Sequence, residues 1–279
     1  MELPMLYGGG SAGEWPRMDA LVWGAMLQKA KCNSNLIEGF APTYSTSEPW
    51  YVDKTKEQIV SAIGNWVSAM RNYNVWTVIH LVNGGDESIK HFGAQFICDT
   101  MDLLAKTVGV DKIVMIAVAE HKNQAGHQTI TEHAVEIWHN KYGGIIGYNG
   151  DGRPAGVPNN KYTLLDYHTQ SQGDFGTSNA SYQTLLDSDN GPIIRSLQSN
   201  GQWDEAKVKA WATACFKNKR GMNLYQIGTN MQENVFKAIG DIYAPSVDPI
   251  PVPDPVPVPD KVKTWWDKIR AWFKKVFKK

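Results

Sequence analysis

The chain has 279 residues, of which 42% are hydrophobic, so it can bury one large core and carry an appendage. Its formal net charge is zero, which argues against a general nucleic-acid binder. The zero hides an asymmetry, because residues 260–279 contain eight Lys or Arg and two Asp, which leaves a mildly acidic body and a basic end.

Short apolar runs alternate with helical patterns along residues 1–243. In chain order the runs are PMLYG, NLIEGF, VWTVIHLV, KIVMIAVAE, GIIGYN, YTLLDYH and MNLYQIG, with a possible eighth around GPIIRSLQ. They lack polar alternation, which is typical of strands covered on both faces. Strands joined by helical crossovers predict an α/β fold, namely a (β/α)8 TIM-type barrel or a close variant. A doubly wound open sheet is the alternative, and the glycine run YGGGS is expected to form a tight turn.

The helices between these strands show the 3.6-residue period. Asp53 is predicted to cap a helix whose apolar positions run from Ile59 to Met70, and Asp204 to cap one that reaches Phe216. A third helix follows the last strand, with one apolar face made by Val235, Phe236, Ile239 and Ile242.

In a barrel of this kind, functional side chains collect at the carboxyl ends of the strands. Glu120 ends the most apolar run of the chain, and burial at the rim would raise the pKa of its carboxyl group toward the range of a general acid. Asp166 and Glu38 also follow apolar runs, and either could supply the second carboxylate that glycoside hydrolysis uses. A salt bridge, a helix cap or the orientation of a histidine would explain each carboxylate without catalysis.

Other side chains at the same strand ends suit a sugar substrate. Amide, imidazole and phenol groups bond sugar hydroxyls, and exposed aromatic rings stack on the apolar face of a sugar. The predicted substrate-binding residues are Tyr7, Trp50, His80, Asn83, His121, Asn149, Tyr167, His168 and Gln226. Further loop aromatics, some of which core packing would explain, are Trp15, Tyr44, Tyr51, Tyr148, Tyr162 and Phe175.

We expect neither a metal site nor a cofactor. Four histidines recur every six residues, at positions His121, His127, His133 and His139. Six residues turn a helix by about 600°, so neighbouring histidines point apart, whereas metal-binding pairs on a helix lie three or four residues apart. The three cysteines lie far apart in apolar surroundings, and we expect buried free thiols at Cys32, Cys98 and Cys215.

The body resembles the (β/α)8 glycoside hydrolases in which a Glu closing the fourth strand acts as acid and base. The resemblance covers residues 3–243 and rests on the order of the elements and on Glu120. In the largest clan of these enzymes an Asn precedes that Glu and a second Glu closes the seventh strand, whereas here Ala119 precedes Glu120 and no such second Glu is evident. The resemblance implies hydrolysis of a polysaccharide or peptidoglycan. The alternative is a structural or receptor protein that only binds a glycan or another subunit.

The C-terminal region changes composition twice. Residues 244–260 have proline at nearly every second position, which predicts an extended polyproline II spacer. Residues 261–279 predict an amphipathic helix with an apolar stripe and a basic face, formed among others by Trp265, Trp266, Ile269, Trp272, Phe273 and Phe277 and by Lys274 and Lys275. This pattern favours binding to an anionic membrane or lipopolysaccharide, and docking in a groove of the body or of an assembly partner is the alternative. The tail is similar to the cationic amphipathic extensions of some phage lysins that act on Gram-negative envelopes.

No targeting or spanning signal is visible in the sequence. The first 16 residues hold no basic region followed by an apolar run, so no signal peptide is expected. No stretch of about 18 apolar residues occurs, so no membrane span is predicted. We therefore expect the protein on a membrane surface, in a virus particle, or in the cytoplasm until lysis.

Overall fold

The computed structural model describes residues 5–10, 15–40, 49–82, 87–118, 126–147, 169–171, 194–199, 203–226 and 232–244. The strands are β1 Tyr7–Gly10, β2 Ser34–Phe40, β3 Trp76–Val82, β4 Ile113–Val118, β5 Ile145–Gly147, β6 Thr169–Ser171, β7 Ile194–Ser199 and β8 Gly221–Gln226. The α-helices are α1 Ala20–Lys29, α2 Lys56–Asn72, α3 Glu87–Phe92, α4 Ala94–Thr107, α5 His127–His133, α6 Glu205–Lys217 and α7 Glu233–Tyr243. A 3-10 turn covers Trp15–Arg17, and a π-helical segment, Ala134–Lys141, continues α5.

The strands form one sheet in the order β5, β4, β3, β2, β1, β8, β7, β6, and every neighbouring pair is parallel. Consecutive strands are neighbours and the first strand pairs with the last, which is the order of a (β/α)8 barrel. Within the described residues, β5 and β6 are not paired with each other. The predicted fold class, a TIM-type barrel or a close variant, is confirmed.

The core has two layers, one on each face of the sheet. Side chains alternate between the faces of a strand. The outer layer joins strand residues such as Ile37, Ile79 and Met115 to the buried faces of the helices. The inner layer contains strand and pre-strand residues alone, namely Leu6, Leu36, Val78, Val114 and Ile116. These residues mark the face of the sheet that lines the barrel interior.

The glycine run is a strand, so the predicted tight turn is wrong. A Cβ atom added at Gly8 would lie 2.0 Å from the Ser34 carbonyl oxygen, and one added at Gly10 would lie 1.9 Å from the Leu36 carbonyl oxygen. Real Cβ atoms do not approach this closely, so β1 can lie this near β2 only where it has no side chains. The glycines therefore allow the backbone of β1 to pack closely against β2.

One predicted helix start is corrected and another is confirmed. Helix α2 is capped by Thr55, whose side chain accepts a hydrogen bond from the Gln58 backbone N–H, while the Gln58 side chain accepts one from the Thr55 N–H. Asp53, the predicted cap, is two residues too early and pairs with Lys54. Asp204 caps α6 as predicted, since its carboxylate accepts hydrogen bonds from two backbone N–H groups of the first turn.

Burial confirms two further predictions. Helix α7 buries Val235, Phe236 and Ile239 against the core, with Ile242 partly buried beside them. Cys32, Cys98 and Cys215 are buried and are not joined in disulfides.

The chain divides into Met1–Pro245 and Ser246–Lys279. The second part, which holds most of the predicted spacer and all of the predicted amphipathic helix, lies outside the described residues. Among the helices that are described, none combines the length and the apolar character needed to cross a bilayer.

Candidate active site

Glu38 and His80 are neighbours on adjacent strands, on the inner face of the barrel. They are register partners on β2 and β3, two residues beyond the inner-layer pair Leu36 and Val78, and so share that pair's face of the sheet. Each side chain is 1% exposed. The structure thus places a buried carboxyl group and a buried imidazole side by side, toward the carboxyl ends of two adjacent strands.

The His80 imidazole is neutral at physiological pH. Complete burial lowers its pKa from 6.5 to about 3, because the charged form loses its hydration. A neutral imidazole offers one hydrogen-bond donor and one acceptor. His80 can therefore orient a carboxyl group or a sugar hydroxyl without adding charge to the interior.

A cluster of tryptophans holds the backbone of β2 at Glu38. The Trp15 indole N–H donates a hydrogen bond of 2.7 Å to the Glu38 carbonyl oxygen. Trp50 and Trp66 meet the Trp15 ring edge-on, with centroid distances of 5.3 and 5.8 Å. Trp66 also donates a 2.8 Å hydrogen bond to the Asn35 carboxamide oxygen. These contacts fix the strand segment that presents the carboxyl group.

Several of the aromatic residues considered for sugar stacking are core residues. Trp15 and Tyr51 are 2% and 1% exposed, so neither ring offers a face to a ligand. Trp50 is partly buried and packs on Trp15 at the same end of the structure as Glu38, so it keeps its place among the candidates. Tyr44, Tyr148, Tyr162 and Phe175 lie outside the described residues.

Tyr7 lies at the wrong end of its strand for a role in this site. It is the first residue of β1, whereas the prediction placed it at the carboxyl end. Its ring stacks on Tyr243 of α7 with centroids 4.5 Å apart. Tyr7 therefore helps to join a helix to the barrel at the amino-terminal edge.

Four predicted site residues directly follow the carboxyl ends of described strands. Asn83 comes after Val82 of β3, Glu120 and His121 come shortly after β4, and Asn149 comes after β5. Their side chains lie outside the described residues. Gln226 is the last residue of β8, for which the structure describes the backbone alone. Their part in the site therefore stays a prediction.

Asp166 does not close a described strand. The described strand in this region is β6, Thr169–Ser171, and Asp166, Tyr167 and His168 come before it in the chain. The polar sequence TQS carries no apolar signal, which explains why the prediction chose the apolar YTLL nearby. All three residues lie outside the described residues.

Asn223 is a candidate that reading the strand ends did not reveal. It lies in the middle of β8, is 4% exposed and pairs in register with Gly8, which in turn pairs with Ser34 of β2. Its neighbours Met222 and Leu224 belong to the outer core, so Asn223 faces the barrel interior. The alternation of apolar and polar residues in MNLYQ is the signal that could have identified it.

The described histidines of the six-residue repeat make local contacts. His133 Nε2 lies 2.8 Å from an Asp102 carboxylate oxygen, and His139 Nδ1 lies 2.9 Å from the Gly144 carbonyl oxygen. His127 is buried at the start of α5. Within the part of the chain that the structure describes, no three His, Cys, Asp or Glu side chains gather as metal ligands would.

Solved glycoside hydrolases share this fold. The catalytic domain of an endoglucanase from Thermobifida fusca, solved with cellotetraose, has a TM-score of 0.60 at 9% identity, over 81% of this chain and 80% of that one. An endo-1,4-β-D-mannanase from Thermotoga petrophila has a TM-score of 0.57 at 8% identity, over 82% and 90%. A family 5 glycoside hydrolase from Bacteroides vulgatus has a TM-score of 0.56 at 9% identity, over 80% of this chain and 58% of that one.

Neither a protein-family model nor a curated protein matches the sequence. At identities near 10% the structural likeness establishes the fold alone. The chain is therefore an α/β barrel of the architecture found in these glycoside hydrolases, with a polar interior at Glu38, His80 and Asn223.

Proposed function

We propose that the chain is a glycoside hydrolase that acts on a cell-envelope or extracellular polysaccharide. The observation that carries the proposal is the buried pairing of Glu38 with His80 on the inner face of the barrel. Burying a carboxyl group in a largely aliphatic interior requires polar partners, and buried ionisable groups of this kind are concentrated at functional sites. The shared fold with enzymes that cleave β-linked glucan and mannan supports the same reaction class.

In the proposed mechanism Glu120 donates a proton to the oxygen of the leaving sugar. Glu120 follows β4 by two residues in the chain, and barrel enzymes collect their catalytic groups after the carboxyl ends of their strands. Glu38 is the second carboxylate, which either attacks the sugar or activates a water molecule. Glu38 is preferred to Asp166 because Glu38 lies beside the neutral imidazole of His80, toward the carboxyl end of β2.

The substrate contacts proposed around this pair come from neighbouring strand ends. His80 orients Glu38 or a sugar hydroxyl as a neutral hydrogen-bonding group. Trp50, packed on the tryptophan cluster, offers part of an aromatic surface. Further contacts are proposed for Asn83, His121, Asn149 and Gln226, with Tyr167 and His168 as more distant candidates.

The C-terminal tail is proposed as a tether to an anionic surface. Its eight Lys or Arg and two Asp give a net charge of +6, and its tryptophan and phenylalanine residues recur at helical spacing. Attraction to anionic lipid or lipopolysaccharide would hold the barrel close to an envelope polysaccharide. This places the working protein on a membrane surface or in a virus particle.

One observation favours a binding protein without catalysis. The seventh strand reads IRSLQS and contains no carboxylate, and the next acidic residue, Asp204, serves as the cap of α6. The resemblance to the largest glycoside hydrolase clan calls for a Glu at that strand end. If the second carboxylate is truly missing, the barrel would recognise a glycan or another subunit as a structural or receptor protein.

The test is release of reducing sugar from purified bacterial cell wall and from a panel of polysaccharides. We expect Glu120→Gln to lower turnover by about 10² to 10⁴, the usual contribution of a general acid, with folding unchanged. Glu57→Gln, which changes an exposed Glu at the start of α2, is the matched control and should keep full activity. Full activity in Glu120→Gln would refute the assignment of the acid, and no sugar release by the wild type would favour the binding protein.

A further inference from the structure

Two buried asparagines of this barrel, Asn35 and Asn223, differ in whether their carboxamide groups are hydrogen-bonded. Asn35 on β2 is fully buried, and its carboxamide is completely used: Nδ2 donates to the Trp76 carbonyl oxygen at 2.9 Å and Oδ1 accepts from Trp66 at 2.8 Å. Asn223 on β8 is 4% exposed, yet its Nδ2 has no hydrogen-bond partner among the described residues. Asn35 therefore ties a helix to the sheet, whereas the donor of Asn223 is unsatisfied within the part of the chain that the structure describes.

The free donor of Asn223 points into the barrel. Met222 and Leu224, on either side of it, contribute to the outer core, so the side chain of Asn223 lies on the opposite face. Its register partner is Gly8, and the next residue of β1 on the same face is Gly10. Because glycines have no side chains, β1 places no group over the carboxamide from that direction. The donor lies on β8 and the carboxyl group of Glu38 on β2, the two strands that neighbour β1, and Asn223 is in register through Gly8 with Ser34, four residues before Glu38.

A buried N–H without a partner costs stability, since the group has left water without replacing its hydrogen bond. Leucine has nearly the same size and would avoid this cost. The presence of such a donor is explained if a bound ligand supplies the acceptor that the empty protein lacks.

We propose that Asn223 Nδ2 donates a hydrogen bond to an oxygen of the bound oligosaccharide, which makes Asn223 a substrate-binding residue in the interior of the barrel. The inference rests on the proposed function in taking the ligand to be a sugar. A pyranose hydroxyl or ring oxygen supplies the acceptor, and the aliphatic side chains of the inner layer offer contacts to the apolar face of the ring.

The test compares Asn223→Leu and Asn223→Ala with Asn35→Leu in the full-length chain. The probes are cellotetraose, mannotriose and chitotetraose, titrated by calorimetry into proteins that also carry Glu120→Gln, so that hydrolysis does not consume the ligand. We expect at least one probe to bind, with about 10-fold weaker binding in both Asn223 variants. Asn223→Leu should also raise Tm by about 2–4 °C, because it removes an unsatisfied donor.

Asn35→Leu is the matched control because it removes a buried asparagine whose bonds are all made. It should lower Tm, and that loss sets the scale for the stability measurement. Equal affinity in the wild type and both Asn223 variants would overturn the proposal, as would a fall in Tm of Asn223→Leu as large as that of Asn35→Leu. Failure of all three probes to bind would also overturn it, while cell-wall hydrolysis by the wild type would still support the proposed function. Sugar binding that depends on Asn223, without any hydrolysis by the wild type, would support the binding role of Asn223 and refute the proposed hydrolase activity.

Discussion

At the scale of the residue, the interior of this barrel is defined by a few buried polar side chains. Glu38, His80 and Asn223 lie on three different strands, and none is more than 4% exposed. His80 shows the cost most directly, because its imidazole stays neutral in the folded protein at a pH where an unfolded chain would bind a proton. Because the folded and unfolded states bind a proton at His80 at different pH values, the free energy of unfolding depends on pH.

We expect His80 to weaken the protein as pH falls below neutral. Its folded pKa of about 3 lies below the ordinary value of 6.5, so between these values the unfolded state binds a proton that the folded state does not. The contribution to the free energy of unfolding is complete above pH 6.5 and falls by up to about 1.4 kcal/mol per pH unit below it.

Urea unfolding at a series of pH values from 7.5 to 4.5 measures this slope. His80→Gln should flatten it relative to wild type. His91→Gln, which removes a histidine from an exposed position, controls for the loss of one titratable side chain. An identical slope in wild type and His80→Gln would contradict the expectation.

At the scale of the element, the start of α2 shows how two plausible caps compete. Asp53 and Thr55 both belong to residue types that cap helices, and the sequence pattern alone favoured the carboxylate. The deciding signal is three residues further on, because Thr55 and Gln58 form a reciprocal capping box and Asp53 has no such partner. The buried face of α2, from Ile59 to Met70, was nonetheless predicted correctly.

We expect Thr55→Ala to lower the free energy of unfolding by about 0.5–2 kcal/mol, the usual cost of losing a helix cap. Asp53→Ala is the matched control, since it removes an exposed side chain that pairs with Lys54 outside the helix, and it should change stability far less. Chemical denaturation of both variants measures the difference. A larger loss of unfolding free energy in Asp53→Ala than in Thr55→Ala would show that Asp53 caps the helix, as the sequence predicted.

At the scale of the whole molecule, the sequence predicted the barrel because most strands are continuous apolar runs. β3 and β4 were visible for that reason, whereas β6 reads TQS and carries no apolar signal. β1 was predicted as PMLYG, which overlaps it only at Tyr7 and Gly8, because the glycines that follow carry no apolar signal either. The site followed the same rule: Glu38 and His80 were found because a polar residue breaks an apolar run near its end. Asn223 was missed because it lies within a strand, where only alternation and burial reveal its direction.

The charge asymmetry of the molecule leads to a prediction about membranes. Reversing Lys274 and Lys275 to Glu should reduce binding to vesicles of anionic lipid, since each basic residue near such a surface contributes about 1 kcal/mol. Reversing Lys209 and Lys217, two exposed residues of α6, gives the same net charge and should leave vesicle binding largely intact. Cosedimentation with anionic and zwitterionic vesicles at two salt concentrations distinguishes the cases. Equal losses in the two double variants would show that net charge alone matters.

The strand of glycines also limits how this chain can change. Any codon change that replaces Gly8 or Gly10 with another amino acid adds at least a Cβ atom, and that atom would overlap a carbonyl oxygen of β2. Such a change cannot be relieved by choosing a smaller residue or another rotamer, because the overlap involves the backbone. A redesign of the barrel for new substrates would therefore have to build its diversity on β2, β3 and β8 and inherit β1 as it stands.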